Sequence, residues 1–206
     1  MKKVFAVMIV FIALSSNSFS QIAFDENDVT PIKPTDYKRN IVKVFPLDML
    51  VSGFRVGYEL YLNENLNFGV AAGYYYTEEA SMYFNYDGFT GFNLMPELKY
   101  FLTRADKFNK LEYALFASAY GLYKEISLNY DLPNGIKTSN TSSAIGGGVM
   151  LGVQNMTKFG LFVENAVGGG IYSPLNPNNS RIGHLPVVNP YSGISLRYYL
   201  TLGFKF

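Results

Sequence analysis

His184 is the single histidine of a 206-residue chain that has no cysteine. A nucleophilic relay needs an imidazole within reach of a hydroxyl and a carboxylate to orient it. Ser180 precedes His184, and Leu185 and Pro186 follow it, so no local pattern ties a nucleophile to this base. The acidic groups Glu78 and Glu79, and Asp25, Glu26 and Asp28, lack the ordered ligand spacing of a calcium loop. With no cysteine and one histidine, the usual structural zinc sets are also out of reach. Gly146-Gly147-Gly148 and Gly168-Gly169-Gly170 are not followed by Lys-Ser/Thr, so they do not read as phosphate loops. Strand packing and curvature are their ordinary use. The expectation is a chain without catalytic residues, metal or cofactor.

The charges with a pattern are different ones. Lys43, Arg55, Glu59, Glu97, Lys99, Glu112, Glu164, Arg197 and Lys205 sit within segments whose apolar residues fall on every second position. In residues 53–62, Phe54, Val56, Tyr58, Leu60 and Leu62 share one face, and Arg55, Gly57, Glu59 and Tyr61 the other. In residues 91–102, Phe92, Leu94, Leu98, Tyr100 and Leu102 oppose Asn93, Glu97 and Lys99, with Pro96 removing one ladder donor. A period of two is the signature of a strand with one apolar and one polar face. The nine charges comprise four acids and five bases, a near-neutral set that can pair inside a narrow lumen. Gly69, Gly73, Gly146, Gly148 and Gly152 fall on the same face and are expected to make room for them.

The segments that must hold these residues are eight: 41–47, 53–62, 66–76, 91–102, 111–123, 143–154, 159–171 and 193–206. Most approach the length of a tilted membrane-crossing strand. Connections 63–65, 103–110 and 155–158 are short, and 77–90, 124–142 and 172–192 are long. That alternation is the habit of membrane barrels, with short turns on one side and long loops on the other. The link at 48–52 is the tight exception. A soluble lipocalin-like barrel would turn the apolar face inward; a membrane barrel turns it outward. The export leader and the aromatic rims favour the second. Tyr74 to Tyr76, Tyr83, Phe84 and Tyr86 are expected at one rim, Phe204 and Phe206 at the other.

MKKVFAVMIVFIALSSNSFSQ reads as a leader: Lys2 and Lys3, an apolar run from Val4 to Leu14, and small residues at Ser18 and Ser20. The apolar run is shorter than the roughly 20 residues a spanning helix needs. The organisation read is a signal peptide at 1–20, an irregular segment at 21–40 carrying Pro31 and Pro34, and a barrel at 41–206. Of 17 basic residues, Lys2 and Lys3 leave with the leader, setting 15 against 16 acidic ones. No basic face for nucleic acid remains.

The final strand carries Tyr198, Leu200, Leu202, Phe204 and Phe206 on alternate positions. This resembles the terminal aromatic strand that the barrel assembly machinery reads in bacterial outer-membrane proteins. With the strand pattern from about residue 39 onward, the chain resembles the eight-stranded barrels of the OmpA and OmpX type in Gram-negative bacteria. It is also similar to small exported barrels of unknown function that open on a stretch like Ile41-Val42-Lys43-Val44-Phe45-Pro46-Leu47. The resemblance implies an all-β, eight-stranded antiparallel up-and-down barrel in the outer membrane, in contact with its lipid and lipopolysaccharide. It lacks the peptidoglycan-binding domain of OmpA, so cell-wall tethering does not carry over.

For activity, the first reading is a structural or surface-interaction role with a protein or glycan partner at the long loops. Tyr83, Phe84, Tyr86, Tyr123 and Tyr130 are the contact candidates, since tyrosine binds at low entropic cost. A lipid A-modifying enzyme and a narrow channel are the alternatives. The lipid A deacylase family carries His-x-Ser, which His184-Leu185-Pro186 does not match.

Overall fold

The computed structural model describes residues 40–49, 53–77, 88–107, 111–131, 137–157, 159–175 and 193–206. Eight strands follow one another: β1 Ile41–Val44, β2 Gly53–Tyr61, β3 Leu66–Thr77, β4 Gly88–Lys107, β5 Leu111–Asp131, β6 Lys137–Thr157, β7 Leu161–Pro174 and β8 Gly193–Lys205. Each pairs antiparallel with its neighbours, and β1 pairs with β8, so the sheet closes on itself.

Alternation decides which way each side chain points. Phe54, Val56, Tyr58 and Leu60 on β2 are exposed, while Arg55 and Glu59 between them are buried. Phe92, Leu94, Leu98 and Tyr100 on β4 behave likewise, against buried Asn93, Met95, Glu97 and Lys99. Apolar residues therefore face out and charges face in. A contiguous apolar exterior on that scale has no place in water and suits lipid.

Outward aromatics gather in rows: Phe54, Tyr74 and Phe92 stand opposite one another across three strands. Tyr75 departs from the expected rim. Its place in the alternation turns it inward, where it is buried and donates to Asp48 Oδ2 at 3.2 Å.

Several boundaries differ from the periodicity, among them β4, expected over 91–102 with a connection from 103, which runs Gly88–Lys107. The stretch expected as strand through residue 47 leaves the sheet at Val44, because Pro46 opens a short helix, α1 Pro46–Met49. Residues 124–142, expected as a long loop, are mostly strand: β5 and β6 pair without a break from Leu111↔Thr157 to Asp131↔Lys137. Ser127 Oγ and Thr141 Oγ1 meet across that pair at 2.7 Å, the kind of hydroxyl contact that holds polar strands together. Finally, β6 and β7 meet in a turn where Gly160 takes φ +89° and its amide donates to Thr157 O at 3.0 Å. Pro96 keeps its place in β4, but the register with β5 passes from Leu94↔Tyr123 to Glu97↔Tyr120 without pairing there.

The lumen is filled by a repeated device. Inward aromatics lie directly opposite inward glycines on the next strand: Tyr75 on Gly53, Phe116 on Gly152, Tyr172 on Gly146, Phe162 on Gly203. At each of these glycines a Cβ would run into the facing ring. Gly146 and Gly152 thus make room for rings, where charges had been expected. Gly69 and Gly73 do stand against Glu59 and against Arg55 and Asn93.

Candidate functional site

The inward charges form two layers. The lower one lies toward the end of the barrel where Asn40 and Phe206 meet. Lys43 from β1, Glu59 from β2, Lys99 from β4 and Glu164 from β7 converge there, all buried. Lys99 Nζ is 3.0 Å from Glu59 Oε2 and 2.6 Å from Glu164 Oε2. Lys43 pairs with Glu59 and lies 3.6 Å from Glu164 Oε2. Asn67 Nδ2 donates to Glu59 Oε1 at 2.5 Å. Two cations and two anions cancel, which is the condition for burying them. Phe116 adds its ring face, 4.5 Å from Lys99 Nζ. Lys205 is buried nearby with its ammonium 5.3 Å from the Tyr61 ring.

Glu97 is buried on the same wall and acts on Lys99 at longer range, with no ion pair within 4.0 Å among the described residues. Glu112 lies in β5 opposite Asp106 and Met156, and its side chain is outside the described residues.

The upper layer is built around a residue the sequence reading passed over. Asp48, carried into the lumen by α1, accepts from Arg55 Nη2 at 3.0 Å, and its Oδ2 lies 2.7 Å from Arg55 Nε. Pro46 was the available signal, since a proline after Phe45 ends the strand and lets Asp48 turn in. The Arg55 guanidinium lies over the Phe45 ring at 4.1 Å. Across the lumen, Arg197 Nη1 donates to Tyr199 OH at 3.1 Å. The Arg197 guanidinium has the rings of Tyr120, Tyr172 and Tyr199 within 5.2 to 5.8 Å. Tyr120 OH and Tyr172 OH are 3.0 Å apart.

Both guanidiniums reach one sulfur: Met95 Sδ is 3.9 Å from Arg55 Nη1 and 3.5 Å from Arg197 Nη1. Lys124 stands in the same cross-strand row as Arg55, through Gly73 and Asn93, and within electrostatic range of Arg55, Asp48 and Arg197.

Of the remaining sequence candidates, Tyr123 is part-buried, and its hydroxyl donates to Glu125 Oε2 at 2.8 Å. Tyr130 lies in β5 opposite Thr138, its side chain outside the described residues. Tyr83, Phe84, Tyr86, His184, Ser180, Glu78, Glu79 and the leader also lie outside them. On β8, Tyr198, Leu202, Phe204 and Phe206 are exposed, whereas Leu200 is buried. Tyr198 OH donates to Asn165 Oδ1 at 2.9 Å. Phe206 N donates to Asn40 O at 2.9 Å, closing the β1–β8 pair at its end. No group of histidines and carboxylates able to hold a metal occurs among the described residues.

No family model matches the chain, and no curated protein does. Among solved structures it is similar to the N-terminal β-barrel domain of Pseudomonas aeruginosa OprF. There the identity is 11%, the match covers 82% of this chain and 98% of that one, and the TM-score is 0.45. It is also similar to Neisserial surface protein A, NspA, at 17% identity, with 82% and 95% covered and a TM-score of 0.46. On its own geometry, with an apolar exterior and a charged, filled interior, the chain is an eight-stranded antiparallel membrane β-barrel.

Proposed function

We propose that this protein is a non-conducting outer-membrane barrel that presents the β5–β6 hairpin as a contact surface. The observation that carries the reading is the length of that hairpin. β5 and β6 run 21 residues each, while β2 has 9 and β8 has 13. Crossing a bilayer takes only about 9–11 residues of tilted strand. The surplus is divided between the two ends of the barrel: on the hairpin side the paired ribbon runs on from Ser127↔Thr141 to Asp131↔Lys137 beyond the row in which β2 ends at Gly53, roughly 15 Å at about 3.3 Å per residue. A paired ribbon of that length is a preordered surface, with less entropy to lose on binding than a loop.

The filled lumen supports the non-conducting half of the reading. The four-charge layer and the aromatic–glycine pairs occupy the space an ion path would need. The barrel's partners on this reading are outer-membrane lipid and lipopolysaccharide, the assembly machinery during insertion, and a protein or glycan at the hairpin. No catalytic step is involved.

The test is crosslinking in intact cells with the wild type and with a variant whose β5 and β6 are joined near Lys124 and Ala144. The shortened variant is expected to keep heat-modifiable gel mobility and to lose partner capture. Equal capture by both would overturn the hairpin as the contact surface.

A further inference from the structure

The barrel wall turns apolar side chains out and polar ones in, and above one level that order reverses. Phe92 and Leu94 on β4 face out, and two residues before Phe92 the outward place is taken by Thr90. On β5 the outward residues past Tyr123 are Glu125, Ser127 and Asn129, and on β6 Ser139 and Thr141 face the same way. Glu125, Asn129, Ser139 and Thr141 are exposed, while Thr90 and Ser127 are part-buried. The inward places between them hold Phe89, Ile126 and Leu128, all buried. An antiparallel sheet with its polar face outward suits water, and one with its apolar face outward suits lipid. The change falls between two cross-strand rows. Tyr74, Phe92, Glu125 and Ser143 form a mixed row; Tyr76, Thr90, Ser127 and Thr141 form the next, with a hydroxyl at every place. The apolar belt ends at the first row, and the hydrated face begins at the second.

Asn129 stands opposite Ser139 in the row above, so the hydrated face spans three strands. It looks sideways over the membrane, because its side chains share the parity of the lipid-facing ones below. It starts about 7 Å along the strand from the last outward aromatics, at roughly 3.3 Å per residue. What stands beside it at that height is the headgroup of a neighbouring lipid. Its chemistry is hydroxyl and amide, groups that both donate and accept hydrogen bonds. Ser127 Oγ and Thr141 Oγ1 already lie 2.7 Å apart at its centre. Tyr76 ends the row with its side chain exposed. Among the side chains described no cation stands on this face, and Glu125 borders it, so a phosphate finds no counter-charge there. Uncharged hydroxyls and an amide, with a tyrosine at the end, match the hydroxyls of a saccharide.

We propose that this outward face, made of Thr90, Ser127, Asn129, Ser139 and Thr141 with the Tyr76 ring, binds the saccharide of the lipopolysaccharide surrounding the barrel. The proposal rests on the outer-membrane reading and on the β5–β6 hairpin as a contact surface, and it names the partner on the outer side of that hairpin. The commitment to lipopolysaccharide rests on continuity. The face continues the lipid-facing wall on the same strands, so its neighbour is the upper part of the same lipid.

The test uses the full barrel in nonionic maltoside micelles, with its backbone amides labelled with ¹⁵N. It is titrated with lipopolysaccharide carrying its core saccharide, and separately with lipid A lacking the core. The amides of Thr90, Ser127, Asn129 and Thr141 are expected to shift and saturate with the first and to stay in place with the second. Those of Phe92 and Leu94 should respond to both. Ser127→Val with Thr141→Val removes two hydroxyls and keeps strand-forming side chains. Read at the Thr90 and Asn129 amides, it should raise the half-saturating concentration roughly ten-fold, the loss of two ordinary neutral hydrogen bonds.

Heat-modifiable mobility confirms that the variant is folded; if it is not, Asn129→Ala decides, with a smaller rise expected. Equal shifts with lipid A and with lipopolysaccharide would overturn the saccharide assignment, and so would half-saturation unchanged in the folded variant. The broader reading fails separately. If shortening the hairpin abolishes partner capture while these amides ignore lipopolysaccharide, the contact surface stands and the saccharide site falls.

Discussion

Lys99 Nζ sits between the carboxylates of Glu59 and Glu164, 3.0 Å from one and 2.6 Å from the other, and so ties β4 to β2 and β7 through the middle of the lumen. The three residues are almost fully buried. Such a bridge has no counterpart along the wall, where each strand touches only its two neighbours. Its consequence is a strong asymmetry between removing one charge and removing the set.

Lys99→Met leaves two buried carboxylates facing Lys43 alone. Removing one partner of a buried pair costs about 3–5 kcal/mol, and the loss should appear as a lower urea midpoint for unfolding from detergent micelles. Adding Glu164→Leu to the same chain restores one cation to one anion. The double variant is expected to recover at least half of the loss. A double variant less stable than Lys99→Met would contradict the pairing.

Close approach of the β6 backbone to β7 predicts a sharp positional difference among glycines of one triplet. At Gly168 a new Cβ meets the backbone of Val149, whereas at Gly169 its sole close neighbour is Ser195 O at 3.3 Å. Gly168→Ala should lower stability by about 1–3 kcal/mol, as overpacking does, and Gly169→Ala by much less. Thermal denaturation followed by gel mobility would separate them. Equal melting temperatures would show that the glycines do not set the packing.

Gly160→Ala probes the β6–β7 turn. A left-handed residue with a Cβ costs about 1–2 kcal/mol, and here the Cβ would also face Lys205 O. Slower refolding into detergent is the expected result, together with a lower melting temperature. A neutral outcome would mean the turn rearranges freely.

Asp48→Asn tests how α1 is held. The ion pair with Arg55 is lost while the shape is kept, and the Tyr75 hydroxyl keeps an oxygen to donate to. Amide exchange of residues 45–49 should rise by an order of magnitude or more, since a hydrogen bond to a charged group contributes about 1.5–3 kcal/mol. Exchange in β5 should not change. Uniform acceleration across the barrel would point to global destabilisation instead.

A filled lumen also predicts electrical silence. Wild-type protein in a planar bilayer should show no steady open level, and Lys99→Ala with Glu164→Ala should introduce small step currents by removing two side chains that cross the lumen. Steady wild-type conductance would count against the proposed non-conducting role.

Much of this fold was legible in one dimension. Eight alternating stretches read out as eight strands, because side-chain direction in a strand follows from chain geometry alone, two residues per repeat. The inward set Lys43, Arg55, Glu59, Glu97, Lys99, Glu164 and Lys205 follows by the same parity. Where hydrophobic alternation stops, the reading stopped with it. The Ser- and Thr-rich stretch of β6 looked like loop, and it is strand because β5 offers every one of its residues a backbone partner.

What only the tertiary structure decided is contact between residues far apart in sequence. Lys99 could have met any acid of the right parity; strand stagger chose Glu59 and Glu164. Glycines expected to admit charges admit rings, because register sets Gly152 opposite Phe116 and Gly146 opposite Tyr172. Asp48 enters the lumen only because the four-residue β1 ends at Val44 and Pro46 opens a short helix directly after it. Parity is local and survives in the sequence; register and stagger belong to the closed ring, and no single strand carries them.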